Sequence, residues 1–332
     1  MVVFLTLFLT ALVSALVITP RIVGASHRLG LMDAPGGRKV HTSPIPRLGG
    51  VAIAFALAVT LGVAVIIDAH NPGGPRPDPR SLLPIISGAA LVFAVGVWDD
   101  VDPVGPGMKL LIEGAAATIV IAGGLTITRV TVSGTTHELG WLAFPATAAW
   151  VLVVTNAFNL MDGLDGLAAG LVAIAATTCA TVLVARGEQP SAMLLIALLG
   201  AVLGFLVYNF HPAKIFMGDS GSLLAGFLLA VTAITGHQKG ATTLAVGVPL
   251  LVFALPLADT AIAIGRRLLA RDAPGPSRVS LAATLGRVLT GDQAHIHHRL
   301  LRLGFSHRAA VLILYALMVL CSAMALLTMD RP

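Results

Sequence analysis

Asp99, Asp100, Asp162, Asp165 and Asp219 stand at the ends of apolar runs in a chain where only 11% of residues are charged. A carboxylate beside hydrocarbon is costly to keep. Several gathered toward one side of a membrane therefore predict a cation or phosphate site before they predict surface decoration. Asp99 and Asp100 close one run in GVWDDVDP, with Lys109 shortly after. Adjacent carboxylates repel unless they share a cation or a proton, which suits a metal or a reacting phosphate; the alternative is an acidic pair capping a helix, with Asp102 and Pro103 making the turn. In NAFNLMDGLDGLAAG, Asn156, Asn159, Asp162 and Asp165 recur every three residues. That spacing gives a helix one polar side, and Gly163 and Gly166 permit a bend or the close approach of a ligand. In HPAKIFMGDSGS, Asp219 precedes Ser220, Gly221 and Ser222 where another apolar run starts. A carboxylate able to hold Mg2+ then lies beside helix-start N–H groups able to meet phosphate oxygens, although an N-capping Asp fits the same residues. No Gly-Lys-Ser ending follows, so this is not a Walker nucleotide loop.

Two basic stretches accompany these acids. His295, His297 and His298 fall in GDQAHIHHRLLRLG with Arg299 and Arg302 alongside. Three histidines could hold zinc, but no Cys or Glu completes a familiar set, so phosphate contact outranks ligation and a solvated basic loop is the bland alternative. DAPGGRKVHTSPIPRLGG carries Arg38, Lys39, His41 and Arg47 among turn-forming residues, and suits either an anionic lipid headgroup or a topology signal. Asp259, inside an apolar run, has Arg266 seven positions on and nearly on the same helical face, which predicts a structural pair or a groove contact.

The elements that must position these residues are membrane spans. Of 332 residues 56% are hydrophobic, and the mean hydropathy is +0.91, which excludes an ordinary soluble domain and predicts an all-α polytopic membrane protein. Apolar windows at 3–20, 49–67, 82–98, 110–128, 139–158, 164–185, 191–209, 220–236, 242–264 and 308–327 give about ten spans. An eleventh stays open where Gly123-Gly124 and Pro145 blur two boundaries. The first window has no basic leader segment and reads as a retained span rather than a cleaved signal. The whole chain, 1–332, reads as one membrane domain. Connections 21–48, 99–109, 159–163, 210–219 and 265–307 fall on one side and hold 15 of the 21 Lys and Arg, counting Arg308 at the mouth of the last span. By the bias of basic loops they are cytoplasmic, both termini face outward, and every acidic motif lands on the cytoplasmic face. On the outer side, 71–80 is a Pro/Gly turn region and 127–134 alternates as a short hairpin would. The net charge of +5 follows from this topology; no basic stripe or motif predicts nucleic-acid binding. Cys179 and Cys321 sit in apolar runs without neighbouring ligands and predict packing alone.

Taken in order, R-K-V-H with P-I-P-R-L-G-G, W-D-D, N-A-F-N-L-M-D-G-L-D-G-L, F-M-G-D-S-G-S and H-I-H-H-R-L resemble the polyprenyl-phosphate N-acetylhexosamine-1-phosphate transferases, the superfamily of the MraY and WecA enzymes. The resemblance runs from residue 33 to 302. It implies a Mg2+-dependent reaction, with Mn2+ as a substitute, at the inner face of the bacterial cytoplasmic membrane. There a polyprenyl phosphate attacks the β-phosphorus of a UDP-amino sugar, giving polyprenyl-diphospho-sugar and UMP and initiating a cell-envelope glycan. It implies that Asp219 and Asp99 hold the metal, that Asp99, Asp100, Asp162 and Asp219 are catalytic, and that Asn156, Asn159 and Asp165 bind uridine, with Phe216 stacking on the base. By the same resemblance Lys109 reaches the nucleotide, and His295, His297 and His298 meet phosphates or sugar; by their charge, Lys39, His41 and Arg47 suit a lipid phosphate and Arg299 an anion. Asp99 is expected to orient or deprotonate the lipid phosphate in a direct displacement, with an aspartyl intermediate as the alternative route. His-Ile-His-His-Arg replaces the three consecutive histidines of the MraY branch, which points to the WecA/TagO-like branch and UDP-GlcNAc, with UDP-MurNAc-pentapeptide as the other donor. Relatives form dimers, which extends to this chain as a homodimer. From another class, a nucleotide-sugar or lipid transporter would show inverted repeats and ionisable groups near the midplane, whereas most acids here lie at one edge. A membrane scaffold gives no reason for the grouped Asn and Asp residues.

Overall fold

The computed structural model describes residues 1–33, 44–70, 79–132, 135–235, 247–269 and 295–328. Long apolar runs without charge leave the backbone only internal hydrogen bonds, and helices supply them. The chain forms α1 (Val2–Leu29), α2 (Gly49–His70), α3 (Pro79–Val101), α4 (Pro106–Ala122), α5 (Ala143–Leu160), α6 (Leu167–Ala185), α7 (Gln189–Asn209) and α8 (Gly218–Thr235). Then come a short α9 (Gly247–Val252), α10 (Ala254–Leu269), α11 (Ile296–Arg302) and α12 (His307–Leu327). Two antiparallel pairs are the strand content of the described residues: β1 (Met32–Asp33) with β2 (Ile45–Pro46), and β3 (Arg129–Val132) with β4 (Thr135–Glu138). The second pair takes one strand from the segment expected to form a hairpin, 127–134, and its partner strand from just beyond it.

The protein is an all-α polytopic membrane protein. Among the described residues eight helices are long and apolar enough to cross a bilayer. The two expected spans outside that set have local causes. The fourth starts earlier than its window, at Pro106, and stops at Gly123-Gly124, so it is only 17 residues long. The ninth is interrupted at Phe253 between α9 and α10. The first span, in contrast, continues through Pro20 to Leu29, well past its apolar window.

α8 is the axis of the bundle. Every residue from Ser220 to Thr235 is buried, as expected of a helix apolar all round. α2, α3, α5, α6 and α7 all pack on it, α1 lies outside against α7 and α2, and α12 covers α6. Small residues let backbones close in at the end that carries the motifs: a Cβ on Gly50 would lie 2.1 Å from the Gly221 nitrogen, and one on Gly96 2.5 Å from Ser220 Cα. The C-terminal ends of α3 and α5 and the N-terminal end of α8 therefore meet.

Candidate active site

α8 has its first turn capped from another helix. Asp100, at the end of α3, accepts the Asp219 N–H on Oδ1 (2.8 Å), and its Oδ2 accepts the Ser220 N–H (3.1 Å) and hydroxyl (2.5 Å). Orphan N–H groups at a helix start need such partners, and here a carboxylate 119 positions away supplies them. Gly218 makes the approach feasible. Its φ is +69°, and a Cβ there would stand 2.6 Å from both Asp100 carboxylate oxygens. Asp99 points elsewhere: its Oδ1 accepts the Val104 N–H at 2.8 Å and lies 2.8 Å from Lys109 Nζ, which also reaches Asp219 Oδ2 at 2.5 Å. Asp100 caps, while Asp99 and Asp219 converge on one positive charge.

The α5–α6 turn brings the next group. Asn159 donates from Nδ2 to Ser222 Oγ (2.9 Å), whose hydroxyl donates to the Gly218 carbonyl at 2.9 Å. Asp162 sits in the floor of the cleft, where burial, helped by the charges of Asp219 and Asp100, pushes its carboxyl up to about 8. Asp165 Oδ2 accepts the Ala213 N–H at 3.1 Å and pairs with His211 Nδ1 at 2.7 Å. Asn156 turns away from these residues, donating to Glu113 of α4 and to the Leu152 carbonyl (2.9 Å).

The histidine motif forms α11 and is anchored by Asp259, for which the sequence offered a structural pair with Arg266 or a groove contact. Asp259 Oδ2 meets His295 Nδ1 at 2.6 Å and Oδ1 accepts the Ile296 N–H at 2.8 Å, with both side chains buried. The His295 and His297 rings lie in nearly parallel planes with their centroids 5.8 Å apart. His297 presses against Gly163, where a Cβ would meet its Nε2 at 2.3 Å. Burial, reinforced by the charges of His298 and His295, brings His297 down to about 3, so it is neutral at pH 7. Arg299 lies on the exposed side of α11.

These groups surround a cavity of about 280 Å3. Asn159, Asp162, Asp165, Asp219, Phe216, Arg47 and His298 line it, all expected from the sequence. Phe216 is held by its amide on the Pro46 carbonyl (2.8 Å), and Arg47 lies 3.4 Å from Asp33. Asn156 does not line the cavity; Asp99, Asp100 and Lys109 stand behind Asp219. Lys39 and His41 lie outside the described residues.

The sequence reading missed four residues. Asn209 lines the cavity and ties its wall together, donating to the Ile215 carbonyl (2.9 Å) and accepting the Gly166 N–H at 3.1 Å. An Asn ending an apolar run was the available signal. Glu113, 1% exposed in α4, was detectable as an acid inside a span. His211 and His307 had no local signature. With Asp165 they form a group whose ligand atoms lie within 4.8 Å of one another and could hold a divalent cation.

The class defined by this fold and cleft is a membrane-embedded phosphotransferase, and comparison with known proteins agrees. The family model described as "Glycosyl transferase family 4" matches residues 82–237. The chain is 36% identical over 310 residues, 93% of its length and 80% of the relative's, to the "Probable undecaprenyl-phosphate N-acetylglucosaminyl 1-phosphate transferase" of Bacillus subtilis (strain 168). It is 34% identical over 313 residues, 87% and 73% of the two chains, to the "Decaprenyl-phosphate N-acetylglucosaminephosphotransferase" of Mycolicibacterium smegmatis. A "Phospho-N-acetylmuramoyl-pentapeptide-transferase" of Desulforudis audaxviator matches at 34% over 255 residues, 69% of this chain and 75% of the relative. The chain belongs to the polyprenyl-phosphate N-acetylhexosamine-1-phosphate transferase family.

Proposed function

We propose that the protein transfers GlcNAc-1-phosphate from UDP-GlcNAc to undecaprenyl phosphate, releasing UMP, at the cytoplasmic face of the membrane. The observation that carries this reading is the convergence of Asp99 and Asp219 on the Lys109 ammonium, at 2.8 and 2.5 Å, beside a cleft lined by Asp162, Phe216, Arg47 and His298. Two carboxylate oxygens already aimed at one cation, with no sulfur or nitrogen donor between them, fit Mg2+. When bound there, Mg2+ would neutralise pyrophosphate oxygens in the transition state. Phosphoryl transfer asks the chain mainly for positioning and charge. Lys109 supplies a cation that can turn from the carboxylates to a phosphate, and Arg47 and His298 supply further donors on the cleft wall. Asp100 acts as a positioning residue that fixes Asp219 and the first turn of α8. Phe216 offers a face for a base, and Asp165, held by Ala213 and His211, an acceptor for it. The activities named for the Bacillus and Mycolicibacterium relatives, and the His-Ile-His-His-Arg sequence, support GlcNAc as the sugar.

The test is Mg2+-dependent UMP release by purified protein given undecaprenyl phosphate and, in parallel, UDP-GlcNAc, UDP-GalNAc and UDP-MurNAc-pentapeptide. Turnover of UDP-GlcNAc that is lost in Asp219→Ala is the expected result. Turnover confined to the pentapeptide donor would move the protein to the other branch.

A further inference from the structure

Asp165, His211 and His307 come from three separate elements: the α5–α6 turn, the α7–α8 connection and the first residue of α12. Two observations single them out. Each offers a ligand atom, and these atoms lie within 4.8 Å of one another. Independently, both ring nitrogens of His307 are buried; the Asp165 backbone holds one of them, and the other has no hydrogen-bond partner among the described residues. A buried polar atom left unpartnered in a native fold calls for an explanation, and an ion is one of the few available. The His211 and His307 rings stack at 4.2 Å and 17°, which keeps the two imidazoles side by side.

We propose that these three side chains form a second metal site, for a borderline transition ion of the Zn2+ kind, separate from the Asp99 and Asp219 carboxylates. The donor set decides the class of ion. Two imidazoles and one carboxylate match Zn2+ or Co2+, whereas Mg2+ prefers oxygen ligands and retains water. Metal–ligand distances of about 2.0–2.2 Å in a tetrahedron put ligand atoms about 3.3 Å apart. The Asp165–His211 contact, now 2.7 Å, must open slightly and the widest separation, at most 4.8 Å, must contract. Both changes ask for rotation of the side chains. Three protein ligands leave a fourth position open toward the cleft, which Asp165 and His307 both line. An ion there would tie the start of α12 to the cleft and take up Asp165. It is therefore an inhibitory and cross-linking site. The metal site stands independently of the transferase reading; only its competition with nucleotide rests on that reading.

Tag-free full-length protein in detergent, stripped with EDTA, is titrated with Zn2+ alone, and with Co2+ while visible absorption is recorded. The expected result is one Zn2+ per chain, Co2+ bands of a nitrogen-ligated site, and a melting temperature raised by Zn2+ but not by an equal concentration of Mg2+. Affinity should fall at least about tenfold in His211→Ala and His307→Ala, the scale on which metal sites respond to lost partners, and stay intact in Asp219→Ala. His211→Gln and His307→Gln, closer in size and still hydrogen-bonding, repeat the measurement where an alanine variant melts early in EDTA. Zn2+ that binds no more tightly than Mg2+, that is indifferent to both histidines, or that is lost in Asp219→Ala would overturn the proposal. UMP should weaken Zn2+ binding; Zn2+ bound at both histidines but unaffected by UMP would leave the site standing and remove its overlap with the nucleotide.

Discussion

Asp99 and Asp100 are neighbours in sequence with different partners in the fold, and substitution should separate them. Asp100 is 6% exposed and holds three donors at the start of α8, so Asp100→Ala strands buried N–H groups. We expect a loss of about 2–3 kcal/mol in stability together with activity, read by thermal unfolding in detergent and by UMP release. Asp99→Asn keeps the size and can still accept from Val104, but it removes one of the two charges facing Lys109. It should leave the melting temperature within a few degrees of wild type while lowering turnover about a hundredfold or more. Equal effects of the two changes on stability would contradict the division. At this scale the sequence showed carboxylates well, because a charge in an apolar chain stands out along one dimension. It could not say which of two adjacent acids caps a helix, since the partner lies more than a hundred positions away. Nor could it assemble Asp165, His211 and His307, which share no spacing.

The short α11 shows how an element is placed by a residue outside it. Asp259 of α10 caps its first N–H and pairs with His295, and the stacked His297 then abuts Gly163 in the cleft wall. Asp259→Ala should release α11 and lower kcat/KM by about two orders of magnitude, with Asp259→Asn, which can still accept from Ile296, recovering part of it. A kcat/KM close to wild type in Asp259→Ala would rule out this anchoring role. The same packing predicts a pH dependence. His297 is 1% exposed and its folded value lies near 3, below the ordinary 6.5, so the unfolded chain binds the proton more readily. Its contribution is fully present above pH 6.5 and is lost as pH falls through the window from 6.5 toward 3, amounting to about 2 kcal/mol at pH 5. Unfolding midpoints at pH 7 and pH 5 should therefore differ more in wild type than in His297→Gln. The sequence identified the three histidines as a unit but offered Asp259 only Arg266 along its own helix or a groove contact, because helical periodicity ranks local partners and is silent about those on other elements.

For the molecule as a whole, apolar windows located nearly every helix, since hydrocarbon enforces the pattern. They were less informative about ends and interruptions: α1 runs on to Leu29, α4 is short, and the ninth run breaks at Phe253. The ends of α3 and α5, the start of α8 and α11 all meet at one end of the bundle, as the shared side of the motifs predicted. The basic-residue count predicts that this end faces the cytoplasm. Single cysteines at Asp102 and at Glu138, introduced after replacing Cys179 and Cys321 by Ala, test the assignment. Intact cells treated with a membrane-impermeant maleimide should label the second and spare the first; the reverse would invert the topology.

The central claim is that the bond broken lies between the two phosphates of the donor. UDP-GlcNAc labelled at its β-phosphorus should be incubated with protein, Mg2+ and undecaprenyl phosphate, and the label followed between organic and aqueous phases. Label extracted with the lipid in amounts equal to the UMP left in water is the predicted outcome, absent in Asp219→Ala. Label retained in water as UDP, with only sugar reaching the lipid, would contradict the account.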